Sequence, residues 1–177
     1  YTSTQGFDAQ GNKVSETDPL GNVTQTVNDA YGNIIKAIDP NGNAGYFYYD
    51  GAGQLVYQVD PAGYVTHSVF DAQGQVTAQT VYANALTLGS YDEATPLSAM
   101  AALIDAIDDS GIDQTTRYSY NAIGQVETMA DAMTTGVNEV TESYTYNATG
   151  QMLTRTDALN RVWSYGYDAQ GRLVLET

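Results

Sequence analysis

The residues best placed to do chemistry in this chain are acidic and evenly spaced. An Asp or Asn with Gly three residues on recurs as Asp8 and Gly11, Asp29 and Gly32, Asp50 and Gly53, Asp71 and Gly74, Asn121 and Gly124, Asn147 and Gly150, and Asp168 and Gly171. Oxygen donors at a fixed interval are what a calcium array requires. The densest sets are Asp39, Asn41 and Asn43 in DPNGN and Asp105, Asp108 and Asp109 in DAIDDSGID, and these are the candidate cation ligands. Known repeat calcium sites gather several oxygens in one tight glycine-rich nonapeptide, which is absent. Closure of a turn by an Asp or Asn side chain on an amide two residues away explains the same residues without a metal. The single histidine, His67 in VTHSVF, would need a nucleophile and an orienting carboxylate to act as a base. No sharp elbow accompanies it, and it reads as a strand residue. Paired carboxylates of the glycosidase kind are spatial rather than sequential, and nothing here favours them. With no phosphate loop, dinucleotide fingerprint or histidine-rich motif, neither catalytic residues nor a cofactor is expected.

The spacing is that of a repeat. Four of the six intervals between those Asp or Asn positions are 21 residues. Midway lies a second turn, DPLGN at 18–22, DPNGN at 39–43, DPAGY at 60–64 and, more weakly, DALNR at 157–161. Pro presets one turn dihedral and Gly accepts the positive φ that closes the bend. Between turns run β-formers such as LVYQV and YVTHSVF, so each unit is turn, strand, turn, strand. Alternating aromatics precede the first turn of several units: Phe47 and Tyr49, Phe70, Tyr118 and Tyr120, Tyr144 and Tyr146, Tyr165 and Tyr167. On strands about 4.8 Å apart they form an aromatic ladder whose rings are expected to pack and hold register. A sugar-stacking platform is the alternative use of such rings.

Residues 1–81 and 118–177 hold the repeats, and 82–117 is an insertion. TPLSAMAALIDAIDDSG predicts a helix over about 95–109, with Thr95 as N-cap, Pro96 in the first turn and Gly111 past the end. Leu97, Met100, Ile104 and Ile107 share a face with Leu103 beside them, so the helix is amphipathic and suited to cover the sheet or to meet another subunit. A shorter insertion, DAMTTGVNE at 131–139, reads as a loop on one sheet edge, and NDAYG at 28–32 lacks the aromatic that precedes other turns.

Composition agrees with an all-β chain and narrows its partners. Of 177 residues 15 are Tyr and 17 Gly, and 42% are hydrophobic, enough to build a core. Twenty-one acidic against six basic residues leave a formal charge of -15, which excludes a phosphate-tracking groove for nucleic acid. The absence of Cys removes disulfides and thiol nucleophiles. No apolar run is long enough to insert into a membrane and no signal peptide is visible. The chain starts without Met inside a repeat and stops at RLVLET just after one, and so reads as a piece of a longer protein.

Units written Tyr-Asp-x-x-Gly, then Asp-Pro-x-Gly-Asn, then Tyr-x-Tyr, most clearly YDAQGRLVLET at 167–177 and DPNGNAGYFYYDGAGQLV at 39–56, closely resemble the RHS or YD repeat family. The resemblance covers nearly the whole chain outside 82–117. It implies an all-β fold, a repetitive antiparallel hairpin meander curling into a spiral or shell-like sheet, here with one inserted amphipathic helix. It also implies a secreted or surface-exposed scaffold, as in bacterial toxin shells and teneurins, with non-catalytic repeats. Expected partners are further repeats of the same protein, other copies of it, or an enclosed polypeptide cargo. An extracellular fibre joined through sheet edges and an adhesin for surface glycans are the alternatives.

Overall fold

In the computed structural model, which describes residues 2–109, 111–133 and 139–177, the chain is an antiparallel meander with one helix. The strands are β1 Thr4–Phe7, β2 Lys13–Thr17, β3 Val23–Asn28, β4 Ile34–Ile38, β5 Ala44–Tyr49, β6 Leu55–Val59, β7 Val65–Phe70 and β8 Val76–Val81. After helix α1 Leu97–Asp105 come β9 Gln114–Tyr120, β10 Val126–Met133, β11 Glu139–Tyr146, β12 Met152–Thr156, β13 Val162–Tyr167 and β14 Leu173–Glu176. Order in the 14-stranded sheet is order in the chain. Two compact units divide it, Tyr1–Ser68 with Val81–Asp109, and Val69–Thr80 with Ser110–Thr177.

The two kinds of hairpin differ in one respect. Those closed by a midway turn keep a constant register, as in Ser15↔Gln25, Glu16↔Thr24 and Thr17↔Val23. Six of those closed by the first kind of turn shift register beside it, between Gly6 and Phe7, Val27 and Asn28, Tyr48 and Tyr49, Val126 and Thr128, Thr145 and Tyr146, and Gly166 and Tyr167. Each shift is a β-bulge, which adds twist and re-aims the neighbouring side chain.

The core of the first unit lies where its insertion covers the sheet. Tyr48, Tyr57, Val59 and Val65 from β5 to β7 are buried with Tyr82, Leu86, Tyr91, Met100 and Ile104 from residues 82–104. Leu97, Leu103 and Ile107 pack against this cluster half-buried, so the apolar stripe of α1 faces it. Three fully buried side chains, Met100, Val59 and Val65, mark the centre, each worth about 1.5–3 kcal/mol of apolar burial.

The helix is shorter than the sequence predicts. It runs Leu97–Asp105 with Pro96 as N-cap. Thr95 is not the cap: its hydroxyl accepts the Asp92 amide at 2.9 Å and donates to Asp92 Oδ1 at 3.0 Å, closing the preceding turn. Past Ala106 the amides of Ile107 and Asp108 both return to the Ile104 carbonyl at 2.9 Å, which ends the helix before Gly111. Strand pairing resumes at Gln114 rather than 118, because Thr115 and Thr116 pair with Ala132 and Asp131. The expected loop at 131–139 is partly strand, with Asp131↔Val140 and Ala132↔Glu139 in register; its centre, 134–138, lies outside the described residues.

Candidate functional site

The repeat-turn residues build one structure eleven times over. At Asp8, Asp18, Asp29, Asp39, Asp50, Asp60, Asp71, Asn121, Asn147, Asp157 and Asp168, the backbone carbonyl accepts from the amide three residues on at 2.9–3.1 Å. The amide of the same residue donates to the carbonyl four residues on at 2.9–3.0 Å. Its side-chain Oδ1 then accepts the amides two and four residues later, as Asp8 does from Gln10 and Asn12 at 3.0 and 2.8 Å. The two sequence styles of turn, with and without Pro, are therefore one geometry. Gly at the fourth position takes φ between 79° and 93°, and in DALNR Asn160 replaces it at φ 59°, a conformation Asn tolerates.

The fifth turn position decides what the second carboxylate oxygen does. Asn12, Asn22, Asn33 and Asn43 each donate Nδ2 to Oδ2 of their Asp at 2.7–3.0 Å, and Arg161 and Arg172 donate Nε to Asp157 and Asp168 at 2.7 Å. The side-chain amides of Asn12, Asn22 and Asn43 hold Asp8, Asp18 and Asp39 below the usual carboxylate range, and the Arg161 side chain does so for Asp157. Asp39 is thus occupied: Oδ1 takes the Asn41 and Asn43 amides, and Oδ2 takes Asn43 Nδ2 at 2.8 Å. Asp105, Asp108 and Asp109 are exposed at and beyond the end of α1. Among the described residues no three His, Asp or Glu side chains gather closely enough to hold a metal ion.

The ladder residues reach the backbone. Tyr49, Tyr120 and Tyr146, each just before a turn, donate their hydroxyls to the carbonyls of Ile34, Val76 and Val126 at 3.1, 2.7 and 2.8 Å. Each acceptor opens the neighbouring strand, so the phenol clasps the end of a strand pair that has no turn there. Asn28, which stands where NDAYG lacks its aromatic, makes the equivalent bond, Nδ2 to the Lys13 carbonyl at 3.2 Å. Ring pairs seen among the described residues lie off the ladder: Tyr46 meets Tyr91 edge-on at 5.4 Å, and Tyr57 meets His67 at 4.6 Å. Phe47, Phe70, Tyr118, Tyr165 and Tyr167 are half-buried. His67 sits against Tyr57, opposite it in register, and burial lowers its pKa.

One charged cluster in the second unit carries no sequence signal beyond its residue types. Tyr144 donates to Glu142 Oε2 at 2.5 Å, and Arg155 grips the same carboxylate through Nε at 3.1 Å and through Nη2. Arg155, then Tyr144, hold Glu142 below its usual range, while burial and then Glu142 push the Tyr144 phenol up to about 12. Two guanidinium groups, Arg155 at 5.2 Å and Arg161 at 5.5 Å, lie over the ring of Trp163. The polar groups of this cluster bind one another, and cation–π contact occupies the indole. Strand register assembles it, with Tyr144↔Arg155↔Trp163 on consecutive strands.

Comparison with known proteins agrees with the repeat fold. The RHS repeat family matches residues 49–87 and 146–177. No curated protein sequence matches the chain. Among solved structures, the Photorhabdus luminescens Tc holotoxin pore is similar over 99% of this chain, at 16% identity and a TM-score of 0.70. A TcdB2–TccC3 structure without its hypervariable C-terminal region aligns with 97% of the chain at 17% identity and a TM-score of 0.48. The chain spans 9% and 10% of the lengths of those two polypeptides. It resembles the RHS/YD-repeat family, and the match supports a structural repeat scaffold.

Proposed function

We propose that this RHS-repeat chain is a wall segment of a β-shell in a secreted bacterial toxin component, continued at its sheet edges by further repeats and enclosing a polypeptide cargo. The observation that carries the reading is the constancy of the turn together with its bulge. Eleven turns share one hydrogen-bond pattern, and the register shift recurs beside one kind of turn only. A bulge adds twist locally, and twist added once per repeat on one side of a meander turns a long sheet into a spiral. The likeness in fold to a segment of the Photorhabdus luminescens Tc holotoxin supports the same reading. No described helix is long and apolar enough to cross a membrane. The segment acts by extending and closing a surface, and its side chains serve turns, clasps and a local core rather than a reaction.

Electron microscopy of the full-length native protein tests this. Closed hollow particles are expected. Long filaments with a regular axial repeat would replace the shell with a fibre joined through sheet edges, and solid particles without a lumen would remove the cargo role.

A further inference from the structure

In the second unit consecutive turns of one edge are tied together by a side chain. Gln125 accepts Asn121 Nδ2 at 3.1 Å and donates Nε2 to the Gly150 carbonyl at 2.7 Å. Gln151 repeats this with Asn147 at 2.8 Å and the Gly171 carbonyl at 3.1 Å. In the first unit the notch between the turns at Asp29 and Asp50 has no such tie. Its fifth-position residue is Asn33, one methylene shorter, and Asn33 Nδ2 is spent on Asp29 Oδ2 at 2.9 Å. No donor among the described residues reaches the Gly53 carbonyl. What remains is a cavity of about 450 Å³ lined by Asp29, Tyr31, Asn33, Tyr49, Asp50 and Gly53, among others.

Three features give the notch a chemical preference. The Asp50 carboxylate accepts the Ala52 and Gln54 amides through Oδ1, both at 2.9 Å, and Oδ2 has no donor among the described residues. Tyr31 is 93% exposed and is the aromatic of the turn row, since the third position of the other ten turns carries none. No Lys or Arg lines the cavity, so the charges of Asp29 and Asp50 are not offset from within it. Elsewhere in this chain an N–H donor already sits on the corresponding carbonyl, as the amide of Gln125 or Gln151, and the notch beside Gln125 keeps a smaller cavity of about 250 Å³. Two carboxylates and an exposed ring favour a cationic donor over a neutral one.

We propose that this notch binds a lysine or arginine side chain of another polypeptide, with its N–H groups on the Gly53 carbonyl and Asp50 Oδ2 and its charge against the Tyr31 ring. The test is NMR titration of the ¹⁵N-labelled chain with acetyl-Gly-Lys-Gly-amide, using acetyl-Gly-Gln-Gly-amide as the neutral control. Saturable shifts are expected at Gly53 and Tyr31 with the lysine peptide, and responses about tenfold weaker with the glutamine peptide. The Asp29→Asn, Asn33→Gln double variant rebuilds the Asn121–Gln125 arrangement, which puts an amide on the Gly53 carbonyl and removes one of the two carboxylates, so it loses the response. Should that variant not fold, Tyr31→Ala decides: at an exposed position it keeps the fold and weakens binding about two- to fivefold. Shifts spread alike over all the acidic turns would mean that the peptide only screens net charge, and would overturn the proposal. So would equal responses to the two peptides, or a folded double variant or Tyr31→Ala chain that responds like the parent.

Discussion

Two and four residues before the turn at Asp50 stand Tyr48 and Tyr46; before the turn at Asn147 the same positions hold Thr145 and Ser143. The tyrosines belong to the covered part of the first unit. The Tyr48 hydroxyl donates to the Asp92 carbonyl at 2.8 Å, Tyr46 meets Tyr91, and beside them Lys36 pairs with Glu93 at 3.1 Å. In the second unit the hydroxyls pair across strands instead, Thr145 with Thr154 and Ser119 with Thr128, both at 2.6 Å. The turns on either side of these positions are the same. A repeat of this kind makes the sheet through its turns and leaves the residues between them to decide whether a stretch acquires a core. Large rings need a cover, and small hydroxyl residues satisfy one another without one.

The sharpest way to break that comparison is to remove core volume on one side and a hydroxyl on the other. Met100→Ala is expected to cost about 2–5 kcal/mol in urea denaturation, and Thr145→Ala less than about 0.5 kcal/mol. Similar losses would erase the distinction between the two units. Next comes a pair of turn glycines in the first unit. At Gly63, φ is +93° and an added Cβ would lie 2.7 Å from the Leu86 carbonyl oxygen, whereas at Gly42 φ is +87° and nothing lies within 4 Å. Gly42→Ala pays only the left-handed backbone cost of about 1–2 kcal/mol, and Gly63→Ala should exceed it by at least about 1 kcal/mol because the covering segment must move. Equal melting shifts for the two would show that the cover yields freely there.

Tyr146→Phe deletes one clasp in the second unit and should cost about 1 kcal/mol, with faster amide exchange at the open end of that strand pair. Unchanged exchange would assign Tyr146 to packing alone. A gain is expected from Asp71→Asn. Gln75 Oε1 is buried without a partner among the described residues, because Asp71 offers only acceptors where Asn121 and Asn147 give Nδ2 to their glutamines. Supplying that donor should stabilise the chain by about 0.5–1 kcal/mol, and a loss on chemical denaturation would contradict it.

The smallest effects are those of pH. Burial lowers the pKa of His67, so the unfolded chain takes up that proton first. Its contribution is complete above about pH 6.5 and declines as pH falls toward the lowered folded value; His67→Gln should flatten this limb of a melting profile. The turn carboxylates, lowered by their hydrogen bonds, act further down. Their contribution is present above the ordinary aspartate value of 3.8 and is lost as pH falls through the folded values, and Asn12→Ala should bring the loss at Asp8 to higher pH.

The repeat was legible because its grammar is local. An Asp or Asn side chain caps amides two and four residues away, and a Gly or Asn accepts the positive φ, so seven turns in register already specify hairpins without reference to distant residues. Periodicity likewise places Leu97, Met100 and Ile104 on one helix face, and Ile107 packs on the same cluster from just past the helix end. Reading Thr95 as the N-cap went astray because Asp92 competes for the same hydroxyl from outside the helix. That the Asp-Pro turns share the geometry of the others was within reach, since both carry Gly at the fourth position and Asn recurs at the fifth, in Asn12, Asn22, Asn33 and Asn43.

The sequence by itself determined an antiparallel meander of hairpins with one helix inserted, because turn closure and strand alternation are set within a few neighbouring residues. Only the tertiary structure decided what the aromatics do. Beside a register shift, Tyr49, Tyr120 and Tyr146 each reach the carbonyl of a neighbouring strand, and Asn28 serves where no aromatic remains. It also decided that Glu142, Tyr144, Arg155 and Trp163 meet, and that Gln125 and Gln151 tie neighbouring turns together where Asn33, beside Tyr31, does not. Those outcomes depend on cross-strand register and on the reach of one methylene, which are distances between separate parts of the chain and are written in no single stretch of it.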